Sequence, residues 1–318
     1  MSALLILLSV LLQAGCFGYL SGRLTPSGSL LLSGVGFAMA AAFFSCLLLV
    51  RRWRGAASRA APRPERRRVR QLLLVVNLLT AVTFLSFYVA LAWIPATLAS
   101  GIETALGPLA LAALQLLPGG FGARPTRRTW LHAAGLALVG GVLAWRLTDL
   151  DQVHWPVLAG VVLAVVAGAG ASGLALASKA LGRLGVDPVT VTAHRFHLTY
   201  LGAGVLYLLQ AATPEESGVP VGLLPLIGAT AVTAPLFVLQ VGLQRADPRI
   251  AMTILTTLPG VTYLSEAAWG GPLDLVGLGL TVLLVVLAAV SAVPVRRAPA
   301  ERRYVRGSRP ADRAGSAP

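Results

Sequence analysis

Apolar runs of about 18 to 23 residues, the length that crosses a hydrocarbon core, alternate with short polar joints along almost the whole chain. They predict ten membrane-spanning helices, at 3–20, 30–50, 72–93, 96–117, 130–145, 156–178, 189–209, 222–243, 250–269 and 273–293. The expected fold is an all-α membrane protein. Three stretches stand outside this pattern: a basic joint at 51–70, a joint at 211–220 and a tail after Pro294. None carries enough apolar residues to bury a core of its own.

Composition agrees with the pattern. Of the 318 residues 56% are apolar and only 12% charged, against about 25% charged in an ordinary soluble domain. The net charge of +14 would point to nucleic acid in a soluble protein, but here the placement of the charges decides. With the N-terminus inside, the inner joints hold the basic cluster at 51–70, then Arg124, Arg127 and Arg128, Lys179 and Arg183, Arg245 and Arg249, and the arginine-rich tail. The outer joints hold only Arg23, together with Asp149, Asp151, Glu215, Glu216 and Asp274. This asymmetry places both termini in the cytoplasm and the chain in the cell membrane. Trp93, Trp145, Trp155 and Trp269 fall at outer ends of spans and Trp130 at an inner one, as interfacial anchors do. The basicity therefore reads as topology, and no nucleic-acid partner is expected. The tail at 295–318, rich in Arg, Pro, Ala and Gly, is expected to be disordered and held near anionic headgroups.

Gln13-Ala14-Gly15-Cys16 is close to a lipoprotein cleavage box, but no Lys or Arg precedes the apolar run and Gln13 stands where an aliphatic residue is needed. The first run is therefore expected to stay as a span. Cys16 and Cys46 lie inside spans without motif spacing and read as packing residues.

Ten spans divide into two sets of five, at 1–147 and 155–294, and the halves carry related features. The third and fourth spans are joined by the tight turn Ala90-Leu91-Ala92-Trp93-Ile94-Pro95-Ala96. The eighth and ninth are joined by Leu243-Gln244-Arg245-Ala246-Asp247-Pro248-Arg249. Each turn precedes a span with a Gly-Pro or Pro-Gly pair, Gly107-Pro108 and Pro259-Gly260. One turn faces outside and the other inside, the relation expected of inverted repeats.

These features, with Phe87-Tyr88, Ile94-Pro95, Ile102-Glu103 and Gly107-Pro108-Leu109, resemble the EamA group of the drug/metabolite transporter superfamily over nearly residues 1–294. Within that group the first half is similar to the threonine/homoserine exporters. In the second half Pro235 and Gln244-Arg245 keep the register, whereas Leu239, Leu258 and Gly271 replace acidic residues of those exporters. The resemblance implies a secondary transporter working by alternating access. It also implies that the third, fourth, eighth and ninth spans line a central cavity.

Glu103 lies about eight residues into the fourth span, roughly 10 Å below the outer boundary. An acidic residue near a helix centre costs roughly 2.5–3.5 kcal/mol on insertion scales, so this carboxylate must face water, find a partner or take a proton. It is a candidate for proton coupling or for pairing with a substrate ammonium; the alternative is a structural hydrogen bond to a neighbouring helix. Arg195 in the seventh span admits two readings, a ligand for a substrate carboxylate and, favoured by its reach, an anchor snorkelling to the inner headgroups. Tyr88, Asn77 and Gln240 are polar residues that contribute either to a substrate pathway or to interhelical bonding. Gly107, Pro108, Pro235 and Pro259 interrupt helix hydrogen bonding in mid-span and are expected to line a cavity. Glu266, three residues before Trp269, is expected to reach interfacial water. In the sixth span Ala164, Gly168 and Ser172, with Gly170 and Gly173, form small-residue stripes that read as close helix packing or as a site of bending. His194 and His197 share a helix face without a third ligand, so no metal site is expected.

The expected function is export of an amino acid or related metabolite, with proton coupling at Glu103. No cofactor is expected; the partners are a small-molecule substrate and the lipid bilayer, and a homodimer is left open. A drug-like or specialised metabolite as cargo and a non-transporting scaffold are the alternatives. No Walker-type loop, Gly-x-Ser-x-Gly elbow, His-Glu-x-x-His helix or paired intramembrane aspartates occurs, so neither ATP drive nor enzyme chemistry is expected.

Overall fold

The computed structural model describes residues 2–54, 63–116, 124–147, 154–210 and 219–292. Every regular element among them is helical. The elements are α1 (Ser2–Leu20), α2 (Pro26–Trp53), α3 (Arg63–Ala90), α4 (Ala96–Leu114), α5 (Arg127–Leu147), α6 (Trp155–Arg183), α7 (Pro188–Arg195), α8 (His197–Gln210), α9 (Leu224–Ile227), α10 (Ala234–Arg245), α11 (Pro248–Leu255), α12 (Leu258–Ala268) and α13 (Leu275–Ala292). A 3-10 turn, Val221–Leu223, precedes α9, and a π-turn, Gly228–Thr233, joins α9 to α10.

Six helical stretches are long and apolar enough to cross a membrane: Ser2–Leu20, Pro26–Trp53, Glu65–Ala90, Ala96–Leu114, Trp155–Arg183 and Val221–Arg245. The chain is thus a multi-pass membrane protein. Its surface bears this out, because Leu74, Leu138, Leu208 and Leu275 stand exposed on the flanks, a distribution that water does not tolerate at this density. The other predicted spans correspond to α5, to the broken pairs α7–α8 and α11–α12, and to α13.

Local chemistry explains several boundaries. Thr25, Asp187 and Asp247 cap α2, α7 and α11 by accepting the backbone N–H of Gly28, Val189 and Arg249, and each is followed by proline at the first helical position. The break between α11 and α12 precedes Pro259, which lacks an N–H for the Leu255 carbonyl. The predicted basic loop 51–70 is largely taken up by helix, since α2 runs on to Trp53 and α3 starts at Arg63. Arginine is a good helix former and these ends are solvated. Residues 55–62, Asp149, Asp151, Glu215, Glu216, the Trp145 side chain and the tail at 295–318 lie outside the described residues.

Contacts gather the basic helix ends at one end of the bundle. Arg51 pairs with Asp187 at 3.2 Å, tying the end of α2 to the start of α7. Lys179 Nζ donates to the Gln244 and Arg245 carbonyls at 3.3 and 3.0 Å, tying α6 to the end of α10. One cation departs from the sequence reading. Arg146 sits in the last turn of α5, and its charge acts on Asp274 before α13, so Arg23 is not alone at the opposite end.

The core is aromatic where α1, α2, α3 and the α7–α8 junction meet. Phe37 packs its ring on Phe84, Tyr88 and Phe196 at centroid separations of 5.3, 5.9 and 5.5 Å. Phe17 joins the cluster through Phe87 at 5.0 Å. Helix α6 reaches its neighbours through small residues. A Cβ on Gly168 would fall 2.4 Å from the Glu103 carbonyl oxygen of α4, and one on Gly170 2.5 Å from Thr83 Oγ1 of α3. The stripes therefore serve close packing, one toward α4 and one toward α3.

Candidate functional site

Helix α4 runs antiparallel to α11–α12, and the two are fastened at both ends. At one end the Glu266 carboxylate accepts the backbone N–H of Thr97 at 3.0 Å and also the Thr97 hydroxyl. A carboxylate from α12 thereby caps the positive end of the α4 dipole, and Thr97 itself is fully buried. Glu266 is therefore engaged with α4 rather than simply directed to interfacial water. At the other end Arg249 Nη2 donates to Gln115 Oε1 at 3.1 Å. The two ends of this seam are called here the Thr97 end and the Gln115 end.

Between the clasps lies a cavity of about 50 Å³ whose wall includes Gln13, Phe17, Thr83, Glu103, Met252 and Leu258. It has room for a few waters and is well below the roughly 300–1,000 Å³ of a ligand pocket. The α4 backbone at Glu103 packs on Gly168 of α6, and Ala171 and Leu174 of that helix also line the cavity. Among the described residues no side chain hydrogen-bonds or ion-pairs with this carboxylate. The neighbouring hydroxyls are spent on their own helix: Ser100 Oγ donates to the Ala96 carbonyl at 2.7 Å and Thr104 Oγ1 to the Ser100 carbonyl at 2.6 Å. Thr83 Oγ1 is buried without a hydrogen-bond partner on the opposite wall.

At the Thr97 end a larger vestibule of about 550 Å³ is lined by Arg23, Trp93, Pro95, Tyr263, Glu266 and Trp269, among others. The Arg23 guanidinium lies 4.4 Å from the Tyr19 ring centroid and 5.7 Å from that of Trp269. The Thr97–Glu266 clasp borders this vestibule. Helix α1 lines both spaces, through Gly18 in the vestibule and Phe17 in the inner cavity.

Arg195 lies elsewhere than its reach implies. It is completely buried and points into the bundle, so it is not an interfacial anchor. Its Nε donates to Thr80 Oγ1 at 3.3 Å, its Nη1 donates to Gln240 Oε1 at 2.7 Å, and its guanidinium stacks 5.1 Å from the Phe196 centroid. Ser178 Oγ donates to the same Gln240 oxygen at 3.3 Å. Arg195 Nη2 and Gln240 Nε2 are buried donors without an acceptor, and no carboxylate pairs with the cation among the described residues. Thr80, which holds Arg195, is one turn from Thr83, which faces the Glu103 cavity, so the two sites adjoin along α3.

Asn77 completes this region from α3: its Oδ1 accepts the Leu198 backbone N–H at 3.0 Å and so caps α8 just after the chain breaks at Phe196. Its role here is to hold that break. Tyr88 is buried in the aromatic cluster, and its carbonyl accepts the Ser29 hydroxyl. None of the four helix-breaking residues lines either space described above, and Pro108 lines a separate cavity at the Gln115 end. The Gly107 carbonyl accepts Ser172 Oγ at 2.8 Å. The Pro235 carbonyl accepts Ser9 Oγ of α1 at 2.8 Å. Pro259 packs toward Gly101 of α4. These breaks are thus satisfied mainly by neighbouring helices, the other way in which membrane helices tolerate them. His194 bonds the Thr190 carbonyl and His197 adjoins Tyr200; no group of three metal-ligating side chains occurs among the described residues.

No protein-family model and no curated protein matches the chain. A crystal structure described only as that of a protein aligns with it at a TM-score of 0.65 and 18% identity, covering 92% of this chain and 97% of that one. The likeness is one of fold over nearly the full length.

Proposed function

We propose that the chain is a secondary transporter of ten spanning helices, arranged as two inverted five-helix halves with both termini cytoplasmic, in the cell membrane. The observation that carries the reading is the Glu103 carboxylate, which has no side-chain partner among the described residues and lies against an internal cavity midway along a seam clasped at both ends. A partly buried carboxylate in mid-span with no bond to make is costly for a scaffold, whereas a transporter uses it as a proton or ammonium site. The antiparallel meeting of α4 with α11–α12, one from each half, supports the inverted arrangement. Arginine clustering at the Gln115 end supports its assignment to the cytoplasm.

The cargo is a small zwitterion, an amino acid or a close relative. Its ammonium group pairs with Glu103 and its carboxylate meets the unused donors of Arg195 and Gln240, one helical turn away along α3. The present cavity is too small for such a molecule, so this conformation is one in which the site is closed. Release opens the Thr97 clasp and loading opens the Gln115 clasp, with export as the direction and a proton returning through Glu103. The resemblance of the first half to the threonine/homoserine exporters agrees with this cargo. The test is efflux of a radiolabelled amino-acid panel headed by threonine and homoserine from expressing cells. Efflux above that of empty-vector cells supports the reading, and background rates across the panel contradict it.

A further inference from the structure

At the Gln115 end a third cavity, of about 240 Å³, opens between α4, α5 and α11. Helix α5 lines it and lines neither of the other two, and both residues of the Gln115–Arg249 clasp line it as well. Its polar wall is cationic, with Arg128 and His132 from α5 and Arg249 from α11, whose Nη2 donates to Gln115 Oε1 at 3.1 Å and to the Arg124 carbonyl at 3.5 Å. Among the described residues that line it none is acidic. The start of α5 also faces it, where Thr126 Oγ1 accepts the Thr129 N–H at 3.3 Å, which adds the positive end of a helix to the two guanidiniums. The floor is apolar, made by Leu111, Leu136 and Met252. Beside the wall, Leu116, Leu131 and Ile250 are exposed, the first two by more than half of their surface.

We infer that this cavity binds the phosphate headgroup of an anionic phospholipid. Three observations converge on that ligand. Two arginines and a helix start without a lining carboxylate select an anion. The volume lies below that of a drug-sized pocket, so it takes a headgroup and leaves the acyl chains outside. The leucines and isoleucine beside the mouth are where those chains lie. The cavity also sits at the level of the helix ends, where headgroups are found. Lipid binding here does not rest on the transport reading and holds equally for a protein that moves nothing.

The test is native mass spectrometry of the detergent-purified full chain with phosphatidylglycerol or phosphatidylcholine. The wild type retains phosphatidylglycerol in preference to phosphatidylcholine, and R128Q/R249Q loses that retention by about tenfold. Equal retention of the two lipids by the wild type, or equal retention of phosphatidylglycerol by a folded variant, overturns the inference. Displacement of the lipid by millimolar glycerol 3-phosphate also overturns it, assigning the cavity to a soluble anion. If the double variant does not fold, photoactivatable phosphatidylglycerol on the wild type decides. Label confined to peptides containing 108–116, 126–136 or 249–253 supports the site, and label absent from them overturns it.

Discussion

The Glu266 carboxylate holds both the backbone N–H and the hydroxyl of Thr97, so the end of α12 caps the start of α4 across 169 residues of sequence. Glu266→Ala leaves both buried donors without an acceptor and removes a negative charge from a helix N-terminus. Charge-assisted hydrogen bonds contribute about 1.5–3 kcal/mol, equivalent to roughly 10- to 100-fold in an opening equilibrium. Amide hydrogen exchange in the first turn of α4 is expected to speed up by that factor in Glu266→Ala. Unchanged exchange there would show that the clasp does not hold the helix.

Arg195 bridges α3 and α10 through Thr80 and Gln240. Lysine presents a point charge and cannot reach both oxygens while stacking on Phe196. Arg195→Lys is expected to lower stability by about 1–3 kcal/mol, seen as a reduced Tm in detergent. An unaltered Tm would contradict a bridging role.

Two glycine substitutions should diverge. Gly168→Ala places a methyl group against the backbone carbonyl of Glu103, which cannot give way without moving α4 from α6. The expected cost is about 1–3 kcal/mol. Gly135→Ala on α5 meets no atom within 4 Å and gains helix propensity of about 1 kcal/mol. Thermal unfolding of the pair checks the contrast; equal effects would place the α4–α6 contact elsewhere.

Asp274 begins α13. Its carboxylate accepts the N–H of Gly277 at 3.0 Å and of Val276 at 2.7 Å, and these bonds, with the Arg146 charge, hold its pKa below the ordinary carboxylate value. A depressed acid stabilises the fold above its unfolded pKa, about 3.9, and the contribution fades as pH falls through the lower folded value. Exchange in the first turn of α13 is expected to be faster in Asp274→Asn than in the wild type at pH 7, and the difference is expected to shrink as pH falls below the ordinary carboxylate value of about 3.9. Equal exchange at pH 7 would remove Asp274 as the cap.

Much of the fold is legible in the sequence because spanning length and apolar composition are local properties. Among the described residues the apolar runs are largely helical, six of them in helices of membrane-crossing length. The interruption before Pro259 follows from a missing N–H, whereas the one at Phe196 has no Pro or Gly to announce it and is completed by Asn77 from another helix. Glu103 was legible as an isolated charge in an apolar run. Arg195 was legible as a charge but not in its direction, since side-chain length favours the headgroups and only Thr80 and Gln240, far away in sequence, draw it inward. The Thr97–Glu266 and Gln115–Arg249 clasps left no local signal, because each pairs residues whose own neighbours say nothing of one another.

The central claim is that Glu103 carries the transport cycle. Its most direct test is efflux of labelled threonine and homoserine from cells expressing wild type and Glu103→Gln at matched membrane levels. The amide fills the same space but neither releases a proton nor balances an ammonium charge, so the account predicts loss of efflux in the variant with its Tm within a few degrees of the wild type. Efflux by Glu103→Gln at the wild-type rate would contradict the claim.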